Sequence, residues 1–272
     1  QYIMTDFFEK IVFKDGCGIH YWVSYNSNKS WIILLHGACA DHHLFDEQIP
    51  ALKGKYNLLL WDARGHGLSK PIGDDFSIEI LTDDLISLMN REGIVKASFV
   101  GQSMGGNIAQ EITFYHSDKV EALIMVDCSC NTNSFSKVKR YVMNMVPFIT
   151  YICPWKVAQG ICFRSGAVKK ETQEYLKRTF GKTSKKDFIK IFTAVSNCLH
   201  YEKDYKINKK IMIVCGEYDY LGNLKKSMRR WADYEPESEF HVLKNAGHSA
   251  NKENPDDFNK LMIEFLHNFY KD

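Results

Sequence analysis

Short runs of apolar residues alternate along this chain with segments whose apolar side chains recur at helical spacing. Four of the runs are near-continuous, as in strands buried on both faces of a parallel sheet: residues 31–35, 57–61, 120–126 and 211–215. Between such runs, apolar side chains recur every three or four positions and predict amphipathic helices, clearest over residues 77–91 and 255–270. This alternation predicts a mostly parallel sheet covered by helices on both faces.

Other segments complete an α/β fold with an eight-stranded sheet. Residues 7–13 and 19–25 flank a glycine-containing turn and predict an antiparallel hairpin at the sheet edge. The remaining predicted strands cover residues 97–100, just before Gly101, and residues 239–243, and the remaining predicted helices cover residues 41–53, 104–116 and 224–234.

Residues 130–206 interrupt this pattern, because no buried strand is predicted there. Within residues 131–190 there are 13 basic and only 3 acidic residues. The segment also carries an apolar tract, Tyr141 to Phe163, which Pro147 and Pro154 interrupt. A composition shift of this kind predicts an inserted helical cap, residues 130–206, on a core of residues 1–129 and 207–272.

The overall composition adds three expectations. The 272 residues are 45% hydrophobic and 25% charged, which is typical of a globular protein. No run of about eighteen apolar residues occurs, and the first residues lack the basic and apolar segments of a signal peptide. The eight cysteines form no C-x-x-C pair, so we expect free thiols in the cytoplasm.

The strongest chemical signal is Gly101-Gln102-Ser103-Met104-Gly105, which ends an apolar run and leads into a predicted helix. This pattern is typical of a serine on a sharp strand-to-helix turn, where small neighbours are required and the hydroxyl projects toward substrate. Such a serine needs a base, usually histidine, that a carboxylate orients. The sequence therefore predicts Ser103 as a nucleophile.

The partners should follow later strands, since loops at the carboxyl ends of parallel strands share one edge of the sheet. Asp219 and His248 stand in such loops, in the order Ser, Asp, His. Asp127, after the strand that follows the serine, is the rival carboxylate. His66 is a less suitable base because it lies upstream of the serine, between two glycines.

An attacked carbonyl also needs donors for its developing negative charge. The backbone amide of Met104, at the start of the helix, is one candidate. The amide of Ala38, which follows His36-Gly37 after the strand at residues 31–35, is the other.

These motifs resemble those of the α/β-hydrolase superfamily, in its capped serine esterase and lipase-like branch. They occur in family order over almost the whole chain, at residues 36–38, 62–67, 101–106, 216–219 and 245–248. The resemblance implies an α/β-hydrolase fold with an inserted cap, and a triad of Ser103, Asp219 and His248. It does not identify the substrate, because this fold hosts many chemistries.

Several related branches are disfavoured. Dehalogenases and epoxide hydrolases of this fold carry aspartate where this chain has Ser103. Iminopeptidases need acidic cap residues, of which this cap has few. We therefore expect a cytoplasmic carboxylesterase for short-to-medium acyl or monoacylglycerol-like esters, without metal or organic cofactor.

Alternatives remain open on the same triad: a thioesterase or lactonase, a C–C hydrolase or perhydrolase, and a slow-turnover ligand-binding protein. The apolar cap tract either lines an acyl pocket or only packs on the sheet. Its lysines either form a solvated face or contact anionic lipid weakly. Nucleic-acid binding is not expected because no recognition motif accompanies the charge, and both monomer and homodimer remain open.

Overall fold

One eight-stranded sheet lies at the centre of the protein. The structure is a computed structural model, and it describes residues 6–133, 148, 150–220 and 223–271. The strands are β1 (Phe8–Lys14), β2 (Cys17–Ser24), β3 (Trp31–Leu35), β4 (Asn57–Trp61), β5 (Ala97–Gln102), β6 (Val120–Val126), β7 (Lys210–Gly216) and β8 (Ser238–Leu243). Their order across the sheet is β1-β2-β4-β3-β5-β6-β7-β8. Pairing is antiparallel for β1–β2 and β2–β4, and parallel from β4 to β8.

Helices occupy most of the connections. They are α1 (Ile49–Leu52), α2 (Ile78–Arg91), α3 (Met104–Tyr115), α4 (Trp155–Ser165), α5 (Lys170–Gly181), α6 (Lys185–Asn197), α7 (Leu224–Tyr234), α8 (Ala250–Glu253) and α9 (Pro255–Lys271). Helix α2 shows why such segments form helices. The Ser77 hydroxyl caps its first turn by accepting a hydrogen bond from the Ile80 amide, and the apolar residues at helical spacing are buried.

The burial of the strands explains why the sheet lies at the centre of the molecule. All residues of β4 and β5 are buried, and so are nearly all residues of β3 and β6. Since successive side chains on a strand point to opposite faces, continuous burial means that both faces are covered. The edge strand β1 instead alternates exposed and half-buried positions. The predicted α/β-hydrolase architecture is confirmed.

The predicted helix at residues 41–53 is in fact two short helical turns. A 3-10 helix covers His42–Phe45, where the Asp41 carboxylate accepts the His43 amide, and α1 begins afresh with proline in its first turn. Asp62 fixes the first turn by accepting hydrogen bonds from the backbone amide and ring of His42. These tertiary bonds, together with Pro50, divide a segment whose apolar spacing resembles one helix.

The connection between β6 and β7 contains helices and, within its described residues, no strand. Residues 141–147 of the apolar tract lie outside the described residues. At the base of this connection the chain leaves and returns side by side, because the His200 amide donates to the Asn131 carbonyl and the Glu202 amide to the Thr132 carbonyl. The connection thus starts and ends at one place on the core.

Candidate active site

Ser103 lies at the junction between β5 and α3, in a strained backbone conformation. Its φ is +50° and its ψ is −116°. Such a conformation costs a non-glycine residue about 1–3 kcal/mol and is found mainly at functional sites. Ser103 is half-buried, so the residue is partly exposed to solvent.

Three glycines make this turn possible. A Cβ on Gly101 would lie 2.6 Å from the Gly105 carbonyl oxygen and the Gly106 amide nitrogen, and one on Gly105 would overlap the Leu35 carbonyl. A Cβ on Gly106 would lie 2.5 Å from the Cys128 sulfur. Since α3 packs this closely on β3, β5 and the loop after β6, no side chain fits at these positions.

The structure brings the predicted base and its carboxylate to this serine. The Oγ of Ser103 lies 2.9 Å from Nε2 of His248, and Nδ1 of His248 lies 2.8 Å from a carboxylate oxygen of Asp219. These partners assign the proton to Nδ1, which donates to Asp219, and leave Nε2 to accept from the Ser103 hydroxyl. The side chain of Asp219 is fully buried, whereas that of His248 is 16% exposed.

The surroundings of His248 shift the pKa of its imidazole in opposing directions. Burial lowers the pKa of the imidazole, but the charge and hydrogen bond of Asp219, together with Asp127, outweigh burial and raise that pKa above its ordinary value of 6.5. A buried carboxylate at this distance stabilises the imidazolium that would form when the serine loses its proton.

Asp127, the rival carboxylate, takes a different place. Its two oxygens accept the backbone amides of Gly216 at 2.8 Å and Ala250 at 2.9 Å. It therefore ties the end of β7, which leads to Asp219, to the helix that follows His248. Burial, with the nearby charge of Asp219, raises the pKa of Asp127 to about 8.

The loop after β3 lies directly against Ser103. A Cβ on Gly37 would lie 3.3 Å from the Cβ of Ser103. The Ala40 amide donates to the Gly37 carbonyl, and Cys39 has a φ of +60°, as at the third position of a type II turn. Such a turn does not use the amide of Ala38. The amide of Met104, at the first position of α3, likewise has no partner within its helix.

Two positioning residues were missed by the sequence reasoning. Gln102 is buried, and its Nε2 donates to the His248 carbonyl at 2.5 Å, while a Cβ on Gly37 would overlap its Oε1. Gln102 thereby contacts both the loop after β3 and the histidine loop. The one available signal was a polar side chain at the last position of a fully buried strand.

Glu253 is the second missed residue. Its Oε2 accepts the Gly247 amide at 2.6 Å, and its Oε1 accepts the amides of Val168 at 2.8 Å and Lys169 at 2.5 Å. One buried carboxylate thus joins the histidine loop to the β6–β7 connection. No local pattern distinguishes this glutamate from a surface glutamate on a short helix.

The upstream histidines brace loops. The Nδ1–H of His36 donates to the Gly37 carbonyl at 2.8 Å, and Nε2 accepts the Ala63 amide at 3.0 Å, which joins the loops after β3 and β4. His66 is buried and donates through Nδ1 to the Arg64 carbonyl, and burial lowers its pKa to about 3. Among the residues that the structure describes, neither of these two histidine rings forms a hydrogen bond with Ser103.

Within the described residues, one group of side chains has the composition of a metal site. Ligand atoms of Asp127, Cys215 and Asp219 lie within 4.8 Å of one another. The carboxylates already accept hydrogen bonds from backbone amides and from His248. Burial raises the pKa of the Cys215 thiol, which opposes the thiolate that a metal would need. The group is better explained as the support of the histidine.

A family model described as the alpha/beta hydrolase fold matches residues 30–148, which include the serine turn. Together with the strand order and the turn, this match shows that the chain has the α/β-hydrolase fold. A helix long and apolar enough to cross a membrane is absent from the described part of the chain.

Particular relatives include esterases and lactonases. Esterase YbfF of Escherichia coli is 31% identical over 100 residues, covering 37% of this chain and 39% of that protein. The 3-oxoadipate enol-lactonase 1 of Acinetobacter baylyi is 29% identical over 100 residues, covering 37% of each chain. The alignments thus span less than two fifths of these relatives.

A solved structure extends the similarity of fold to nearly the whole chain. The thermophilic esterase from Thermogutta terrifontis superposes with a TM-score of 0.79 at 19% identity, covering 97% of this chain and 98% of that one.

Proposed function

We propose that the protein is a serine hydrolase that cleaves a carboxylic ester through an acyl-enzyme on Ser103. The observation that carries the proposal is the hydrogen-bonded series from Ser103 to His248 to Asp219, with distances of 2.9 and 2.8 Å. A serine at a strained turn, a base within reach and a buried orienting carboxylate together constitute an activated nucleophile.

In the proposed reaction, Ser103 Oγ attacks the ester carbonyl carbon while His248 Nε2 takes the hydroxyl proton. The carbonyl oxygen becomes an oxyanion, which accepts hydrogen bonds from the backbone amides of Ala38 and Met104. The position of Met104 at the start of α3 adds the positive end of the helix dipole.

Collapse of this intermediate breaks the bond to the alcohol oxygen, which receives the proton from His248. Water then attacks the acyl-enzyme, giving up a proton to His248, and the carboxylic acid leaves as Ser103 regains its hydrogen. Asp219 holds the ring in one tautomer throughout and stabilises its charged form.

For the substrate we propose an ester with a short-to-medium acyl chain or a monoacylglycerol-like ester. The names of the esterase relatives support the ester class. In the β6–β7 connection, Trp155, Cys162 and Phe163 are half-buried against the hydrophobic core. We propose that these side chains border the acyl site.

A series of p-nitrophenyl esters of increasing chain length tests the proposal, with Ser103→Ala as the control. We expect turnover that depends on chain length and falls by roughly 10⁴-fold or more in Ser103→Ala, because the substitution removes the nucleophile. A fluorophosphonate probe should label Ser103 in the wild type. Turnover that survives in Ser103→Ala, or a wild type that neither turns over nor labels, would contradict the proposal.

Lactone hydrolysis is a second candidate, favoured by the enol-lactonase relative. A lactone is a cyclic ester, so the same groups would open its ring while the alcohol remains attached to the acyl chain. A matched pair of a lactone and its open-chain ester, compared by kcat/KM, decides between the two. Preference for the ring by a factor of ten or more would assign the lactonase function.

We also propose that the protein acts in the cytoplasm. All eight cysteines are unpaired, six of them buried. Free thiols in this number are typical of a reducing compartment.

A further inference from the structure

Within the β6–β7 connection, the described residues between 148 and 168 expose apolar side chains that a folded protein ordinarily buries. They are Phe148, Tyr151, Ile152, Val157, Ile161 and Val168. On α4, the only buried residue is Ala158, whereas Val157 and Ile161, one turn apart, are 53% and 59% exposed. Apolar exposure concentrated in one short segment favours an interaction surface over an ordinary solvent-facing helix.

The charged side chains within this segment are all basic. Residues 148–170 contain four basic residues and no acidic residue. Lys156 and Arg164 are exposed on α4 itself. Lys185, from α6, adds its charge by donating to the Tyr151 carbonyl at 2.6 Å and the Cys153 carbonyl at 2.9 Å.

This combination identifies the kind of partner. A second copy of the chain would bring basic side chains against basic side chains, which opposes association. An anionic lipid surface instead offers headgroups to the basic residues and acyl chains to the apolar ones, as for amphipathic helices that lie in a bilayer interface. We propose that the apolar–basic face, formed by the exposed side chains of residues 148 and 150–168, docks on membranes that contain anionic phospholipid.

The face is linked to the candidate active site. Beyond α4, the Gly166 carbonyl accepts the Ser249 hydroxyl at 3.0 Å, next to His248. The Val168 amide, two residues further, is held by Glu253. Docking would therefore place the histidine loop within the length of α4, about 16 Å, from the lipid surface. The proposal goes beyond the hydrolytic function and does not depend on it, because binding requires no turnover.

Flotation of the full chain with phospholipid vesicles tests the proposal. We expect binding to equimolar phosphatidylcholine–phosphatidylglycerol vesicles at low salt, and little binding to phosphatidylcholine alone or at high salt. The double variant Val157→Gln, Ile161→Gln should bind about tenfold more weakly, because it removes the side chains that would enter the interface.

The matched control is Val95→Gln. Val95 is 78% exposed but lies before the amino end of β5, at the opposite end of that strand from Ser103. This variant should bind like the wild type, and all variants should keep the wild-type thermal midpoint and turnover of a soluble ester.

A second pair tests the charges without touching the apolar side chains. Lys156→Gln, Arg164→Gln should weaken binding roughly tenfold. Lys226→Gln, Arg230→Gln removes two exposed basic residues from α7 and should have a smaller effect.

Three results would overturn the proposal. The first is no binding to the anionic vesicles, and the second is an equal loss of binding in the variant and control pairs. The third is a wild-type protein that forms a dimer and does not bind vesicles, with the dimer dissociating in Val157→Gln, Ile161→Gln. Failure of ester turnover with intact vesicle binding would instead count against the proposed hydrolase alone.

Discussion

Ser103 is held in its strained conformation by close packing around three glycines rather than by its own preference. The carbonyl of Leu35 and the loop after β6 stand where side chains at Gly105 and Gly106 would be. The strain is therefore supported by the contact between α3 and the sheet, which buries a large part of the core.

We predict that Gly105→Ala lowers the free energy of unfolding by about 2 kcal/mol or more, because the new methyl overlaps backbone that cannot move cheaply. Chemical denaturation measures this change. The matched control is Gly160→Ala in the interior of α4, where an added methyl meets nothing within 4 Å. It should raise stability by up to about 1 kcal/mol through helix propensity. Equal effects at the two positions would contradict the packing argument.

A second prediction concerns the pH dependence set by Asp219. His248 must be neutral to accept the serine proton. We therefore expect kcat/KM to rise with pH through the pKa of His248 in the substrate-free enzyme, which its surroundings raise above 6.5. In Asp219→Asn the charge that raises this pKa is lost. The rise in kcat/KM should therefore move to lower pH, while its plateau falls by about 10³–10⁴-fold.

The pH–rate profile with a soluble ester measures both changes. Asp233→Asn, at an exposed aspartate on α7, serves as the control and should leave the profile unchanged. A profile that keeps its midpoint in Asp219→Asn would mean that another group sets the basicity of His248.

Among the structural elements, the short helix α8 has the clearest positioning role, through Glu253. Two amides of the β6–β7 connection and the Gly247 amide all depend on this one carboxylate. The Lys169 side chain reinforces the junction by donating to the Glu253 carbonyl. The junction couples the connection to the loop that carries His248.

We predict that Glu253→Gln lowers the free energy of unfolding by about 1–3 kcal/mol, because its amide group can replace only one of the two accepting oxygens. It should also lower kcat more than it raises KM, since the histidine loop loses its support while the acyl site is intact. Glu174→Gln, at a 62% exposed glutamate of α5, is the matched control and should change neither quantity. A loss of stability with unchanged kcat would limit Glu253 to a purely structural role.

For the molecule as a whole, we propose that residues 130–206 form a cap separable from a core of residues 1–129 and 207–272. The paired segments at residues 131–132 and 200–202 bring the two ends of the cap together. The cap also contacts the core through Tyr175, whose hydroxyl donates to the Asp41 carboxylate at 3.0 Å. Inserted domains with adjacent ends can often be removed without unfolding the host.

We predict that replacing residues 134–198 with a short glycine–serine linker yields a core that still unfolds cooperatively, at a lower thermal midpoint because apolar contacts with the cap are lost. Circular dichroism during heating measures this. The variant should retain labelling of Ser103 by a fluorophosphonate but lose its preference among acyl chain lengths. A chain without a cooperative transition would show that the cap is integral to the core.

The fold and the order of the reactive groups could be predicted from local patterns. Continuous apolar strands, helical spacing and the glycines around Ser103 are consequences of packing against a sheet, and such packing imprints the nearby sequence. The same logic placed Asp219 and His248 after β7 and β8, since parallel strands bring their carboxyl ends together. Residues 41–53 were wrongly predicted as one helix because the bonds to Asp62 come from a distant part of the chain.

Only the tertiary structure separated the two carboxylates and revealed the supports of the histidine. Asp127 and Asp219 both follow buried strands, and what distinguishes them is that Asp219 reaches the His248 ring while Asp127 holds backbone amides. The Gln102 side chain bonds to His248, 146 positions away along the chain, and the Glu253 side chain bonds to Val168, 85 positions away. A hydrogen bond between segments so distant leaves no periodic trace in the sequence. The identity and order of the candidate residues are therefore encoded locally, whereas their alignment is decided by the fold.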